Sequence, residues 1–110
     1  MSSLEVPTVL VDEDSGRILL AALSRPRTAL QIARSSGTPV AEAFRRIRML
    51  ERMGLLRAEM HVRDRQGREV PVYRSTLRDG YMFVDNGRLR VRFQLVAGVP
   101  ESSDERGKLR

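Results

Sequence analysis

The segment RRIRMLERMGLL, residues 45–56, constrains the fold of this chain more than any other part of its sequence. Its apolar residues Ile47 and Leu50 continue a helical spacing that begins at Val40, so one side of a helix is apolar. Gly54 follows, and glycine commonly ends a helix. The opposite side of this helix carries Arg45, Arg48 and Arg52. The segment therefore predicts a helix that buries one face in a core and exposes a column of cations.

The charge of the chain points to an anionic partner. Its 110 residues carry a formal net charge of +6, and Lys108 is the only lysine among the 20 basic residues. Arginine makes planar two-point contacts to phosphate and to guanine, which favours nucleic acid. A genome rich in G and C would produce the same composition. Composition therefore indicates a cationic surface on a single domain, without locating a site.

Several classes of chemistry have no support in the sequence. The chain has no cysteine, which excludes disulfides, thiolate metal sites and cysteine nucleophiles. Its only histidine, His61, lies in a strand-like run and is expected to be a structural or surface residue and not a metal ligand. No phosphate loop, acidic metal cluster or trio of serine, histidine and acid is recognisable. We therefore expect no enzymatic activity, cofactor or metal, and the short apolar runs predict a cytoplasmic protein without a membrane span.

The first two helices are predicted from capping residues. Residues 1–13 are expected to form an arm or a short edge strand. Asp14 or Ser15 is the expected cap of a first helix that runs to Leu23, before Pro26.

A helix-turn-helix pattern follows. Thr28 and Gln31 form a capping-box signature at the start of a second helix, which Gly37 ends. Thr38 is the predicted cap of the long third helix, with Pro39 at its first position. Two helices joined by a turn that contains glycine are therefore expected.

Beyond Gly54 the apolar period changes from helical to two. Apolar and polar residues alternate from Leu56 to Val62, and residues 64–67 have the composition of a turn. Pro71 lies in the returning strand and marks it as an edge, because proline cannot donate a ladder hydrogen bond. The prediction is a two-stranded ribbon with a basic tip.

A second hairpin is predicted around Asn86 and Gly87, the strongest short hairpin signal in the chain. Its apolar side carries Leu89, Val91, Phe93 and Leu95. This side needs a cover, and either the first helix or the same hairpin of a second chain can supply it. The polar segment 98–110 is predicted to be a disordered tail.

This order of elements resembles the winged helix-turn-helix of ArsR-like and MarR-like transcriptional regulators, archaeal ones in particular. The resemblance lies in RPRTALQIARSSGTPVAEAFRRIRMLERMGLLRAE over residues 25–59, the loop DRQGR over residues 64–68 and the returning VPVYRSTLRDG over residues 70–80. It implies an α+β fold in which residues 14–79 form three helices and a β-hairpin wing. Residues 80–97 are then an additional C-terminal β-hairpin.

The resemblance also implies a DNA interface. In the family, the second helix of the motif enters the major groove and the wing reaches the backbone or the minor groove. On the helix from Pro39 to Met53 the expected contacts are Ala41, Glu42, Arg45, Arg46, Arg48, Met49 and Arg52. The wing adds Arg63, Arg65 and Arg68, and the preceding helix adds Thr28 and Gln31. These last two residues can cap their helix whether or not they also contact DNA.

Individual residues on the third helix allow more than one role. Arg45 is the leading candidate for a base contact, and Arg46 for steering or positioning. Glu42 either accepts from cytosine or orients these two arginines. Arg48 and Arg52 either contact DNA or are solvated surface residues. Phe44 is expected to pack against Val40 and Ile47.

Three functions fit these observations. The first is a double-stranded DNA-binding transcriptional regulator, homodimeric and associated with the nucleoid, whose small-molecule effector is left open. The second is an abundant chromatin-like protein that binds DNA with little sequence preference. The third is a protein-interaction winged helix in a transcription or replication assembly.

Overall fold

The structure, a computed structural model, describes residues 8–95 and combines helices with two small antiparallel sheets. The elements in chain order are β1 (Thr8–Asp12), α1 (Glu13–Ala21), β2 (Arg27–Thr28), α2 (Ala29–Ser36), α3 (Val40–Arg52), β3 (Leu56–Arg63), β4 (Glu69–Ser75), β5 (Leu77–Asp85) and β6 (Arg88–Leu95). The sheets have the strand orders β1-β6-β5 and β2-β4-β3. The predicted α+β class is confirmed. The tail predicted for residues 98–110 and the first seven residues of the predicted arm lie outside the described part.

The capping box of α2 forms as predicted. The Gln31 backbone N–H donates to Thr28 Oγ1 over 3.2 Å, and the Thr28 backbone N–H donates to Gln31 Oε1 over 2.9 Å. Gly37 ends the helix in the left-handed region, with φ of 71°. Only glycine adopts this conformation at no steric cost, so the end of α2 is encoded in the local sequence.

Two predicted caps are wrong. Neither Asp14 nor Ser15 caps α1; Asp12 does, because its Oδ1 accepts from the Ser15 backbone N–H over 3.1 Å. The helix therefore begins earlier than predicted, and it ends at Ala21. Thr38 does not cap α3 either. Its Oγ1 accepts from Ser36 Oγ over 2.8 Å, and Pro39 occupies the cap position without a side-chain hydrogen bond.

The core lies between the three helices and both sheets. On α3 the buried residues are Ala43, Ile47 and Leu50. Val40, predicted to extend this seam, is exposed, because it is the first residue of α3 and lies ahead of the packed turns. Ala43 replaces it in the buried seam.

The sheet β2-β4-β3 differs from the prediction at β4. The strand lies between two others and is not an edge, since β2 pairs with Val72 and Tyr73. Pro71 lies one residue beyond this pairing, where β4 has only β3 as a neighbour, so its missing N–H breaks no second ladder. The predicted ribbon is two-stranded only in its outer half.

The β3–β4 hairpin is anchored at its base and projects at its tip. Leu56 is buried, but the register shifts between Ala58 and Met60. Beyond the shift Met60 is 51% exposed and Val62 is exposed as well. Alternation in the sequence therefore predicts the strand correctly, while burial is restricted to its first half.

The β5–β6 hairpin packs on α1. Val91 and Phe93 are fully buried, and a Cβ added to Gly16 of α1 would lie only 2.6 Å from the Cβ of Val91. The first helix of the same chain therefore covers the apolar side of this hairpin. Asn86 and Gly87 form its turn with φ values of 52° and 74°, as expected for an Asn-Gly hairpin. The strand β5 begins at Leu77, three residues before the predicted boundary of this hairpin at residue 80.

Candidate nucleic-acid interface

The outward face of α3 carries the predicted arginine column. Since Ala43, Ile47 and Leu50 are buried, the opposite side of the helix faces solvent. The exposed residues on that side are Ala41, Arg45, Arg48 and Arg52. Within residues 8–95, neither Arg48 nor Arg52 takes part in an ion pair. Met49 is half-buried at the margin of this face.

Arg45 is oriented by Glu42. Its Nη2 donates to both carboxylate oxygens of Glu42, over 2.8 and 2.7 Å. Hydrogen bonds from Arg45 and from Arg46 hold the pKa of the Glu42 carboxyl below its usual value. The Arg45 side chain is still 62% exposed, and both bonds to Glu42 use the same nitrogen. Within residues 8–95, its Nε and Nη1 donate no hydrogen bond.

Arg46 has a different environment from Arg45. Its side chain is only 15% exposed and lies 3.3 Å from Asp12 and 3.4 Å from Asp14. Its Nη1 also donates to Ser15 Oγ over 3.0 Å, and its Nε to Glu42 over 2.6 Å. Burial alone would lower the pKa of Arg46, but the Glu42 hydrogen bond and the carboxylate charges raise it. Arg46 therefore ties α3 to the start of α1, and this position favours a structural role over contact with DNA.

A groove of about 870 Å³ separates α2 and α3 from the β3–β4 hairpin. Its wall on the helical side includes Thr28, Gln31, Arg34 and Phe44, and its wall on the hairpin side includes Arg63, Asp64, Arg65, Arg68 and Glu69. Phe44 was expected to pack against Val40 and Ile47, but it lines this groove and is exposed. The groove brings the predicted arginines of the hairpin together with the start of α2.

The tip of the β3–β4 hairpin is an organised turn. Asp64 Oδ1 accepts from the backbone N–H groups of Gln66 and Arg68, each over 2.9 Å, and Oδ2 accepts from Arg68 Nε over 3.1 Å. The backbone hydrogen bond from Arg68 is the main reason why the pKa of Asp64 is lowered. Arg63 donates to the Gly67 carbonyl over 2.9 Å. Arg65 is exposed and has no ion pair in the described part of the chain.

Of the four arginines that line this groove, sequence analysis missed one, Arg34. It lies one helical turn after Gln31, on the same side of α2. That spacing from the capping box was a usable signal. Thr28 and Gln31 themselves are hydrogen-bonded to each other, as their capping role requires. The arginine column of α3 is not part of the groove wall, to which α3 contributes Phe44.

The chain matches no protein family, no curated protein and no solved structure. Within residues 8–95, no helix has both the length and the apolar character needed to cross a membrane. The indications of function therefore lie in the side chains of the outward face and the groove.

Proposed function

We propose that this protein binds double-stranded DNA without catalysis, with α3 in the major groove and the tip of the β3–β4 hairpin on the backbone or in the minor groove. The main support for this proposal is the position of the exposed arginines. Exposed arginines occupy both α3 and the hairpin, and Phe44 of α3 lines the same groove as the hairpin residues Arg63, Arg65 and Arg68. The succession of α2, a short turn at Gly37, α3 and the hairpin agrees with a winged helix-turn-helix, which docks on DNA in this way.

The dimensions and charge of α3 suit a major groove. That groove is about 12 Å wide and accommodates one α-helix. Arg48 and Arg52 lie on the outward face, where a guanidinium can bind a phosphate or a guanine edge. Arg45 lies nearer the start of the helix, and Glu42 accepts hydrogen bonds only from its Nη2, which leaves its Nε and Nη1 without a hydrogen bond in residues 8–95. We propose that Arg45 contacts a base and that the other two arginines contact phosphates.

A second candidate is a protein that binds any duplex with little sequence preference. The composition of the outward face favours this alternative, because Ala41 and Met49 have no strong hydrogen-bonding groups to offer a base. In that case phosphate contacts supply nearly all the affinity. The two candidates differ in whether Arg45 discriminates between sequences.

Duplex binding is tested by fluorescence anisotropy over a range of salt concentrations. We expect the wild-type affinity to fall steeply with salt, and R48A/R52A to reduce the slope of log K against log salt by about two units, since each phosphate contact contributes roughly 0.9. The matched control is R17A/R88A, which removes two exposed arginines from α1 and β6. Absence of duplex binding would contradict the proposal and favour the protein-interaction function. Equal losses in both variants would contradict the assignment of α3 as the contact surface.

Sequence reading by Arg45 is tested after selection of bound fragments from random DNA. We expect R45A to cost about 1 to 3 kcal/mol on the selected duplex and much less on random duplexes. Equal losses on both would remove the case for a base contact. The second candidate, general binding, would then be the better description.

A further inference from the structure

The outer edge of β5 is open. The strand order β1-β6-β5 leaves this edge without a neighbouring strand in residues 8–95. Five uncharged residues, Gly80 to Val84, occupy it in a chain in which 31% of residues are charged. Tyr81 and Met82 are exposed, and Val84 is 70% exposed. Such an edge pairs readily with another strand unless charges or proline protect it.

The sheet face next to this edge is already partly covered. The Arg92 guanidinium lies 5.7 Å from the centre of the Tyr81 ring and 5.1 Å from that of Phe83. Arg92 Nη1 also donates to the Tyr81 hydroxyl over 3.1 Å. The uncovered feature is therefore the edge of β5, with its backbone groups and the side chains of Met82 and Val84.

A bulge changes which side chains of β5 share a face. The register with β6 shifts between Arg78 and Tyr81, and Asp79 has φ of 55°. In the pairing of β5 with β6, Arg78 of β5 lies opposite Gln94 of β6, and Asp85 of β5 lies opposite Arg88 of β6. Because Gln94 and Arg88 lie on the same face of β6, Arg78 and Asp85 also share a face, although their separation in sequence is odd.

We infer that β5 pairs antiparallel with β5 of a second copy of this chain, about a two-fold axis at Met82. This register places Met82 opposite its own copy and Tyr81 opposite Phe83 of the second copy. The bulge of each strand then lies opposite Val84 of the other. Beyond the bulge, Arg78 lies opposite Asp85 of the second copy, an attractive pair that occurs twice.

The chemistry of the edge selects a second copy as its partner. An interface about a two-fold axis must be self-complementary, and here the apolar centre faces itself while each cation faces an anion. A register centred one residue to either side loses the pairing of Arg78 with Asp85. Within residues 8–95, the ion pair of Asp85 is a long one, with Arg90 Nε at 3.7 Å. The product is a continuous sheet with the order β1-β6-β5-β5-β6-β1, independent of any role in DNA binding.

Single cysteines test this register, because the chain has no cysteine of its own. Directly opposite Cα atoms in an antiparallel pair are about 4.5 to 5.5 Å apart, within the range of a disulfide. Met82→Cys should therefore form an interchain disulfide under mild oxidation. Val84→Cys is the matched control, since the two copies of residue 84 would lie roughly 14 Å apart along the strands. We expect M82C to cross-link at least about tenfold faster than V84C.

Sedimentation equilibrium measures the dimer without cross-linking. The full chain of 12.5 kDa should sediment at twice this mass at micromolar concentration. Met82→Lys should raise the dimer Kd by about tenfold or more, because it places two ammonium groups at the axis. Leu10→Lys, on the exposed edge strand β1, should leave it unchanged. A wild-type monomer, or a dimer in which M82C and V84C cross-link equally, would overturn the inference.

Discussion

The two long hairpins, β3–β4 and β5–β6, are the same kind of element with opposite relations to the core. In β5–β6 the inward side chains Val91 and Phe93 are fully buried under α1. In β3–β4 the apolar side chains in the outer half of β3, Met60 and Val62, are exposed. One hairpin is therefore needed to complete the core, while the tip of the other carries side chains that folding does not use. Binding residues are expected on the second.

The difference has a local cause in each hairpin. Gly16 lets α1 approach Val91 so closely that a methyl group would clash. In β3 the register with β4 shifts after Ala58, and the residues of the strand beyond the shift are exposed. Close packing and a projecting arm are thus both specified by a few residues.

The largest expected effect is on stability and distinguishes the hairpins directly. Phe93→Ala removes a fully buried ring and should lower the free energy of unfolding by about 3 to 5 kcal/mol. Val62→Ala should change it by no more than about 0.5 kcal/mol, as is usual for an exposed position. Urea denaturation measures both. Similar losses in the two variants would mean that the β3–β4 tip also packs in the core.

An intermediate effect is expected at α3, where two neighbouring arginines share Glu42. Arg46→Ala leaves Asp12, Asp14 and Glu42 without their common partner and should cost about 1 to 3 kcal/mol. Arg45→Ala removes an exposed pair and should cost less than about 1 kcal/mol. Thermal or urea unfolding compares them. If Arg45→Ala proves the more destabilising, the assignment of Arg46 to a structural role is wrong.

The Asp12 carboxyl adds a pH dependence. Burial would raise the pKa of Asp12, but hydrogen bonds from Ser15 and the charge of Arg46 outweigh burial and lower it. A carboxyl whose pKa is lower in the folded state than in the unfolded state stabilises the folded protein at pH values above its unfolded-state pKa of about 3.9. This contribution is lost as the pH falls through the folded-state pKa. The wild type should therefore lose stability on acidification below about pH 4. Arg46→Ala should make that loss shallower, as unfolding measured at several acidic pH values will show.

Local signals in the sequence predicted much of this architecture. The capping box at Thr28, the burial of Ile47 and Leu50 on α3 and the Asn86 turn each depend on a few neighbouring residues, and all three form as expected. The cap of α1 was missed because Asp12, Asp14 and Ser15 are close together and all suit that position.

Long-range contacts were not predictable from one sequence. A helical wheel places Arg46 on a flank of α3, but only the packing of α1 brings Asp12 to it, 34 residues away. The two-residue strand β2 is too short to show alternation, so the central position of β4 was missed. The groove has the same origin, since tertiary packing is what places Arg34 and Arg65 in the lining of one groove.

The smallest effect on stability is expected at the tip of β3–β4. Replacing Arg65 and Arg68 with alanine should change the free energy of unfolding by less than about 0.5 kcal/mol, because both side chains are exposed. The same variant should weaken binding to all duplexes alike and reduce the salt slope by roughly one to two units. Unchanged binding at low salt would show that this tip does not contact DNA.

The most direct test of DNA binding by one side of the molecule is NMR of the isotopically labelled full chain during titration with a duplex. We expect the largest changes in backbone amide shifts on α3, at the start of α2 near Thr28 and at residues 63–68. Amides of β5 and β6 around Gly87 should change little. The absence of shift changes, or changes concentrated on β5–β6, would contradict the proposed interface.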